Sequence, residues 1–429
     1  MTDMIYGITD APRKVREWIL YALQQVLAVF VATVLIANIC GTPVDACLLG
    51  ACFGTLLYQL ITKFRSPMFI SSCGATVSAV IGALAIGDGS NYLAVAIGGL
   101  VILGVYALFS LIIKWRGIEA INKIFPPIIV GPITMVIGLN LAGFLPTYTS
   151  VAGAHSDLAI LVAIVTMVVV AVSSHYFKGF ARTIPFLIGL GAGYILAAIL
   201  TVTGAAPLVD FSQFAHMHLF RLPDFAFLHW NFKTLSFGAV GQVLLLFVPV
   251  AICALLEHYS DHKVLSNIIG VDLTENPGLH RTLLGDGAAS ALGTILAGLP
   301  NTSYGESIAT TGFSRVASVK VISVAAGTLG ILAFIEPVQV LINSIPACVF
   351  GGCAMILYGY IAASGLKTLI NNKVDLEDNK NLIVVSVILT VGVSGLFLFH
   401  SSFAGVSLAM VLGVILNLIL RPQKNLTNH

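Results

Sequence analysis

Charge is what this sequence has least of. Only 9% of its 429 residues are Asp, Glu, Lys or Arg, while 58% are hydrophobic; a soluble globular chain carries roughly 25% charged residues. A water-facing surface cannot be covered from that supply. The apolar residues also run the whole length of the chain, which excludes a soluble domain on a single anchor. A net charge of +2 gives no electrostatic basis for a nucleic-acid partner. The seven cysteines form no Cys-x-x-Cys and sit mostly in apolar runs, so they read as small packing residues rather than a disulfide framework or a metal site. No His-Glu-x-x-His and no nucleophile–base pattern is present, so neither an enzyme nor a cofactor is implied.

What is abundant is long apolar sequence. A helix needs roughly 20 apolar residues to cross the hydrocarbon layer. Charge-free windows near that length recur at 18–44, 46–62, 66–87, 89–113, 126–156, 158–177, 183–209, 234–256, 287–305, 321–335, 337–366 and 381–420. The last is long enough for two helices, split near His400-Ser401-Ser402, and a further largely apolar stretch at 306–314 is interrupted by Glu306. The count is fourteen segments. The basic Arg13, Lys14 and Arg16 precede a charge-free run that reaches Pro43, too long for the apolar core of a signal peptide, so it reads as an uncleaved first span. With the N-terminus inside and the sides alternating, 19 of the 21 Lys and Arg residues fall on the inner side, leaving only Arg221 and Lys233 outside. That follows the positive-inside rule and places both termini in the cytoplasm.

Two of the segments are polar where a span should be apolar. One runs from Pro67 to Thr76 (PMFISSCGAT), the other from Pro300 to Ala309 (PNTSYGESIA). Each has an extended piece before Gly74 or Gly305 and a small-residue helical piece after it. They lie 233 residues apart, and a second pair of proline-marked sites, at Pro127 and Pro346, lies 219 apart. Both offsets are close to half the chain. Two repeats of seven spans are therefore expected, and an odd number of spans inverts the second repeat relative to the first. Paired interrupted segments in two halves point to a transporter's substrate site, because non-helical backbone at membrane depth needs protein or a wet cavity around it. A half-helix starting there also aims free N–H groups and a positive dipole end at that cavity.

Three carboxylates stand out against this background. Glu257 follows a charge-free stretch from Thr234 to Leu256, Asp261 lies four residues on, and Glu306 opens the second half-helix. On a helix, positions 257 and 261 share a face. An ionisable group at the centre of a span costs about 2.5–3.5 kcal/mol on insertion scales, so such groups serve a pathway or pair with one another. Desolvation and a neighbouring carboxylate both favour the protonated form, which suits a group that exchanges a proton. Asp261 has a plainer reading as the marker of its helix's cytoplasmic end, and Asp286, between Gly285 and Gly287, reads as a helix-start or packing residue.

The chain resembles the nucleobase–ascorbate transporter family, and its bacterial uracil permeases in particular, from Ala22-Leu-Gln-Gln-Val-Leu-Ala-Val-Phe30 to the last span. The pieces that carry the resemblance are Leu256-Glu257-His258, Asn276-Pro-Gly-Leu-His-Arg281, and Leu299-Pro-Asn-Thr-Ser-Tyr-Gly-Glu-Ser307 continuing to Ser314-Arg315. The resemblance implies an all-α polytopic membrane protein of fourteen segments in seven-plus-seven inverted repeats, whose two broken segments contain short antiparallel strands. A core domain would hold 17–124 and 236–336, a gate domain 125–205 and 337–421, with an extracellular loop at 206–235. It further implies a homodimer in the cell membrane and proton symport of a nucleobase by elevator-like motion. By position, Glu257 and Glu306 would hydrogen-bond the base, backbone at Gly74, Tyr304 and Gly305 would complete the edge contacts, and Glu257 with Asp261 would couple the proton.

The chain departs from the uracil permeases at several of these places. Gly74 stands where they have an aromatic platform, Asp261 and Gln25 where they have histidines, and Ser307 and Ala309 where they have Asn and Gly. A purine or a modified pyrimidine is therefore an alternative cargo. An anion carrier of the same architecture is another, although 66–80 and 300–314 contain no Lys or Arg to hold an anion.

Overall fold

The structure, a computed structural model, describes residues 4–87, 90–117, 126–151, 154–234, 236–398 and 400–420. Helices dominate it. The principal ones, in chain order, are α1 (Val15–Cys40), α2 (Val44–Ile61), α3 (Val77–Leu84), α4 (Tyr92–Arg116), α5 (Pro127–Ala142), α6 (Asp157–Tyr176), α7 (Pro185–Val202), α8 (Phe237–Ile269), α9 (Leu279–Ala297), α10 (Gly305–Ser314), α11 (Val319–Leu332), α12 (Ala347–Asn371), α13 (Asn379–Val393) and α14 (Gly405–Ile419), with short helices at Leu145–Tyr148 and Glu336–Asn343 besides. Among the described residues, eight helical segments are long and apolar enough to cross a membrane, and several shorter apolar helices accompany them. Large aliphatic side chains such as Leu100, Leu108, Ile195, Ile199 and Leu418 are more than half exposed. An exterior of this kind is stable against lipid, not water. The protein is a multi-pass membrane protein.

Several boundaries differ from the sequence reading for identifiable reasons. The window 337–366 is not one helix: a short helix, Glu336–Asn343, ends before Pro346, which caps α12 with extended backbone. Pro126 caps α5 in nearly the same conformation; the expected domain boundary at 124–125 lies outside the described residues. The split of 381–420 is present, as a small antiparallel hairpin of Phe397–Leu398 with His400–Ala404 between α13 and α14. The 206–235 stretch holds short 3₁₀ turns.

α9 packs along α2 and α4, α8 along α4, and α11 against α1 and α2, while α12 packs on α5 and α6 and α13 on α5. Small residues set the closest approaches. A Cβ on Gly99 of α4 would strike the Thr294 side chain of α9, so that crossing exists only without one.

α8 contains Pro249. Proline lacks an N–H, so the carbonyl of Leu245 one turn earlier loses its helical donor. The Ser407 hydroxyl of α14 donates to it instead. With no water at this depth, an unpaired carbonyl costs about 1–3 kcal/mol. Ser407→Ala should therefore lower stability by about that amount, read as a lower unfolding midpoint in detergent; an unchanged midpoint would show that the hydroxyl is dispensable.

Candidate functional site

The two interrupted segments meet in the interior. Residues Ile70–Ser72 (β1) and Asn301–Ser303 (β2) pair antiparallel, with Ile70 opposite Ser303, Ser71 opposite Thr302 and Ser72 opposite Asn301, and all six are buried. The Cys73 amide donates to the Pro300 carbonyl at 2.9 Å. A two-stranded ribbon leaves two open edges, and side chains from the surrounding helices close them. The Thr55 hydroxyl of α2 both donates to the Ile70 carbonyl (2.8 Å) and accepts from its amide (3.1 Å). Gln59 donates to the Met68 carbonyl at 3.4 Å, and Ser290 of α9 donates to the Asn301 carbonyl.

The Asn301 side chain clamps the ribbon between α2 and α9. Its amide nitrogen donates to the Gly50 carbonyl at 2.9 Å and to the Ala289 carbonyl at 3.1 Å. Glycine at 54 and 293 makes the room: a Cβ at either position would come within 2.6 Å of the Asn301 amide nitrogen.

After the strands the chain turns helical, through a 3₁₀ turn at Gly74–Thr76 into α3 and directly into α10 at Gly305. Both half-helices thus begin at the crossing, with their free N–H groups there. Beside them runs α8. Glu257 is accessible on this helix although Leu255 and His258 are buried, and Gly305 and Ala309 are likewise accessible. Glu306, Asp261 and Gly74 are half-buried, and Tyr304 is buried. Glu257 lies within electrostatic reach of Glu306, Asp261 and Asp286. The residues singled out from the sequence are therefore gathered at one place, around an opening at the strand crossing.

Two expectations change. Asp261 does not mark the end of its helix, since α8 continues to Ile269 and the Ser303 hydroxyl of β2 donates to Asp261 Oδ2 at 2.7 Å. Asp286 does not start a helix. It sits within α9, fully buried, 2.7 Å from His258 Nδ1, and accepts a 3.3 Å hydrogen bond from Thr302. The sequence reading gave no role to His258, Asn301, Thr302 or Thr55. The four-residue spacing of His258 and His262 on an apolar helix was the one signal available for the first of these.

At Gly74 an added Cβ would make ordinary contact with Ile36 of α1 and Ile361 of α12, at 3.8 and 3.7 Å, and at Gly305 it would meet nothing within 4 Å. Gln25 reaches from α1 to α10, donating to the Thr311 hydroxyl at 3.2 Å. Among the described residues no Lys or Arg forms an ion pair with Glu257, Asp261, Asp286 or Glu306; Lys263 pairs with Asp272 at 3.4 Å, further along the chain. The arrangement presents acceptors and backbone N–H groups to a small solute and offers no cationic side chain.

The sequence profile of the Permease family matches residues 16–401. The chain belongs to this family, the nucleobase–ascorbate transporters that its motifs resemble. Its relatives match nearly end to end. The uracil permease of Bacillus caldolyticus is 38% identical over 434 residues, covering 99% of this chain and 96% of the relative. That of Bacillus subtilis is 36% identical over 97% of this chain and 95% of its own length, and that of Escherichia coli K12 is 33% identical over 99% and 97%. This permease is accordingly a transporter and not an enzyme.

Among solved structures, the transmembrane domain of the cyanobacterial bicarbonate transporter BicA superposes with a TM-score of 0.61 at 14% identity, over 95% of this chain and 98% of that one. The murine anion transporter Slc26a9, in its inward-facing state, superposes with a TM-score of 0.64 at 11% identity, over 96% of this chain and 69% of that one. At such identities the likeness establishes the fold alone.

The Asn301 clamp yields a direct test. Asn301→Ala removes two buried hydrogen bonds, each worth about 0.5–1.5 kcal/mol net, so the unfolding midpoint in detergent should fall by an amount corresponding to about 1–3 kcal/mol. A variant as stable as the parent would mean that the ribbon is held without it.

Proposed function

We propose that this permease is a proton-coupled symporter that imports a nucleobase, uracil before others, across the cell membrane. The observation that carries the reading is the juxtaposition of Glu257 and Glu306 beside two half-helix N-termini, with no cation paired to them among the described residues, in a chain 38% identical to a protein named as a uracil permease. Uracil is neutral and planar, with a fixed edge of donors and acceptors. Carboxyl groups and exposed backbone suit that edge, since an analogue lacking a donor leaves buried groups unpaired.

In this reading Glu257 and Glu306 take the ring N–H and carbonyl edge, backbone at Gly74, Tyr304 and Gly305 completes the contacts, and Glu257 with Asp261 passes the proton. Close acidic groups with no countercharge favour holding at least one proton among them. The chain crosses the membrane fourteen times as two inverted repeats of seven, with both termini in the cytoplasm. Residues 17–124 and 236–336 form a core that moves as an elevator against a gate of 125–205 and 337–421, and 206–235 forms an extracellular loop. The assembly is a homodimer.

A purine or a substituted pyrimidine is the second reading, and glycine at 74 in place of an aromatic platform favours it. The fold is shared with anion carriers, but an anion would face Glu257, Glu306 and Asp261 with no side-chain cation, an unfavourable electrostatic environment.

Radiolabelled uracil uptake into proteoliposomes under an inward proton gradient tests the proposal, with xanthine, hypoxanthine and thymine as competitors. Accumulation should collapse with a protonophore. Glu306→Ala should abolish uracil binding, and Glu257→Gln should lower gradient-driven uptake at least tenfold, the order of one lost charge-assisted hydrogen bond, while remaining monodisperse. Gradient-independent uptake, or full accumulation by Glu257→Gln, would refute the coupling assignment.

A further inference from the structure

The strand next to Glu306 is gripped from two helices at adjacent residues. Ser303 donates to Asp261 of α8 and Thr302 to Asp286 of α9. Asp286 Oδ2 also stands 2.7 Å from His258 Nδ1, with both side chains wholly buried. Among the described residues neither His258 Nδ1 nor Asp286 Oδ1 makes a hydrogen bond of regular geometry, yet two lone pairs at 2.7 Å would repel, which favours a proton between the ring and the carboxyl group.

The other ring nitrogen of His258 bears on where the remaining proton is. His258 Nε2 is 3.1 Å from the Thr282 hydroxyl, which itself donates to the Leu279 carbonyl at 3.1 Å. A hydroxyl has one proton. With that proton on Leu279, Thr282 accepts from His258, and Nε2 carries a hydrogen. The pair then holds one further proton between Nδ1 and Oδ2, as imidazolium–carboxylate or as imidazole–carboxylic acid. Either form has no net charge.

Among the described residues no Lys or Arg pairs with this group. The His262 ring lies tilted over His258 with centroids 4.0 Å apart; its Nδ1–H donates to the His258 carbonyl at 2.8 Å, and its Nε2 is 2.8 Å from the Tyr58 hydroxyl of α2, which donates to Ser66 Oγ. Tyr106 faces Asp286 from α4. Cys73, just before the first half-helix, Glu257 and Asp261 of α8 and Glu306 of α10 are the other titratable neighbours. A charged carboxylate without a partner here would repel all three acids, whereas a neutral pair does not.

We propose that His258 and Asp286 are positioning residues. They hold one proton between them, join α8 to α9 and to β2, and so set the spacing of Glu257, the next residue to His258, from Glu306, four residues beyond Thr302. The proposal rests on the nucleobase reading for why that spacing matters, so its test needs a readout free of substrate.

Nitrogen-15 solid-state NMR of histidine-labelled protein in bilayers, with the His258 signal assigned by its loss in His258→Gln, supplies that readout. At neutral pH and without uracil, Nε2 of His258 should be protonated; an unprotonated Nε2 overturns the shared neutral pair. Uracil binding by calorimetry and uracil exchange in proteoliposomes then test the positioning. Asp286→Ala should weaken binding tenfold or more, the loss expected for a buried charge-assisted contact. The KM for exchange should rise in step while the maximal rate stays within about twofold. Asp286→Asn, whose amide retains an acceptor for Thr302 and a partner for the ring, should return affinity to within about threefold of the parent. If Asp286→Ala does not fold, Thr302→Val removes the strand's contact and leaves the pair intact, and it too should weaken binding severalfold. Parental affinity in Asp286→Ala or in Thr302→Val overturns the positioning role. A parent protein that fails to bind uracil, with Nε2 protonated, counts against the nucleobase reading and leaves the pair standing.

Discussion

Everything at the centre of this protein depends on one requirement: backbone that leaves the helix inside a membrane must find its hydrogen bonds within the protein. The ribbon formed by Ile70–Ser72 and Asn301–Ser303 answers part of it by pairing with itself. The edges are answered by single side chains at particular depths, Thr55 on one strand and Ser290 on the other. The same rule governs the proline in α8, where Ser407 supplies the donor that Pro249 cannot. Such residues contribute nothing to a hydropathy profile. They nonetheless determine where the chain can stop being a helix, and hence where two helix N-termini can open onto a solute.

This requirement also explains why the acids are where they are. Ser303 and Thr302 are successive strand residues, so their side chains leave opposite faces of the ribbon. Asp261 takes one and Asp286 the other. The carboxylates of α8 and α9 are thus tied to the strand that leads into Glu306. Asp261 and Asp286 are hydrogen-bonded to the ribbon, whereas among the described residues Glu257 and Glu306 are not, a distinction that counting acidic residues along the chain does not reveal.

The sequence made the large features legible and missed the local ones, for a physical reason. Proline followed by Ser, Thr and Asn in an apolar context is incompatible with an ordinary span, so both interruptions were readable, as were the apolar helices and the acids at 257 and 306. Asp286 looked like a packing residue because Gly285 and Gly287 flank it, and its partner His258 lies on another helix. Pairings of that kind join positions tens or hundreds of residues apart, and no periodicity reports them. Asp261 was ambiguous because the charge-free stretch ends at Leu256, while the helix itself runs three turns further. Charge marks where apolar sequence stops, not where a helix does.

The structural neighbours sharpen what the site contributes beyond the fold. A bicarbonate transporter and an anion transporter share this architecture at 14% and 11% identity, so crossing strands and facing half-helices do not by themselves select a solute. Two helix N-termini supply partial positive charge to whatever lies between them. Where that charge is the dominant field, it suits an anion. Here Glu257, Asp261 and Glu306 stand beside those termini, with no Lys or Arg paired to them among the described residues, and whatever charge they carry opposes that of the helix ends. An anion then meets acidic groups as well as lost hydration, whereas a neutral solute with donors and acceptors on one edge meets partners of both kinds. On this argument the change of cargo across the fold follows from where the acids stand, with the backbone architecture held constant.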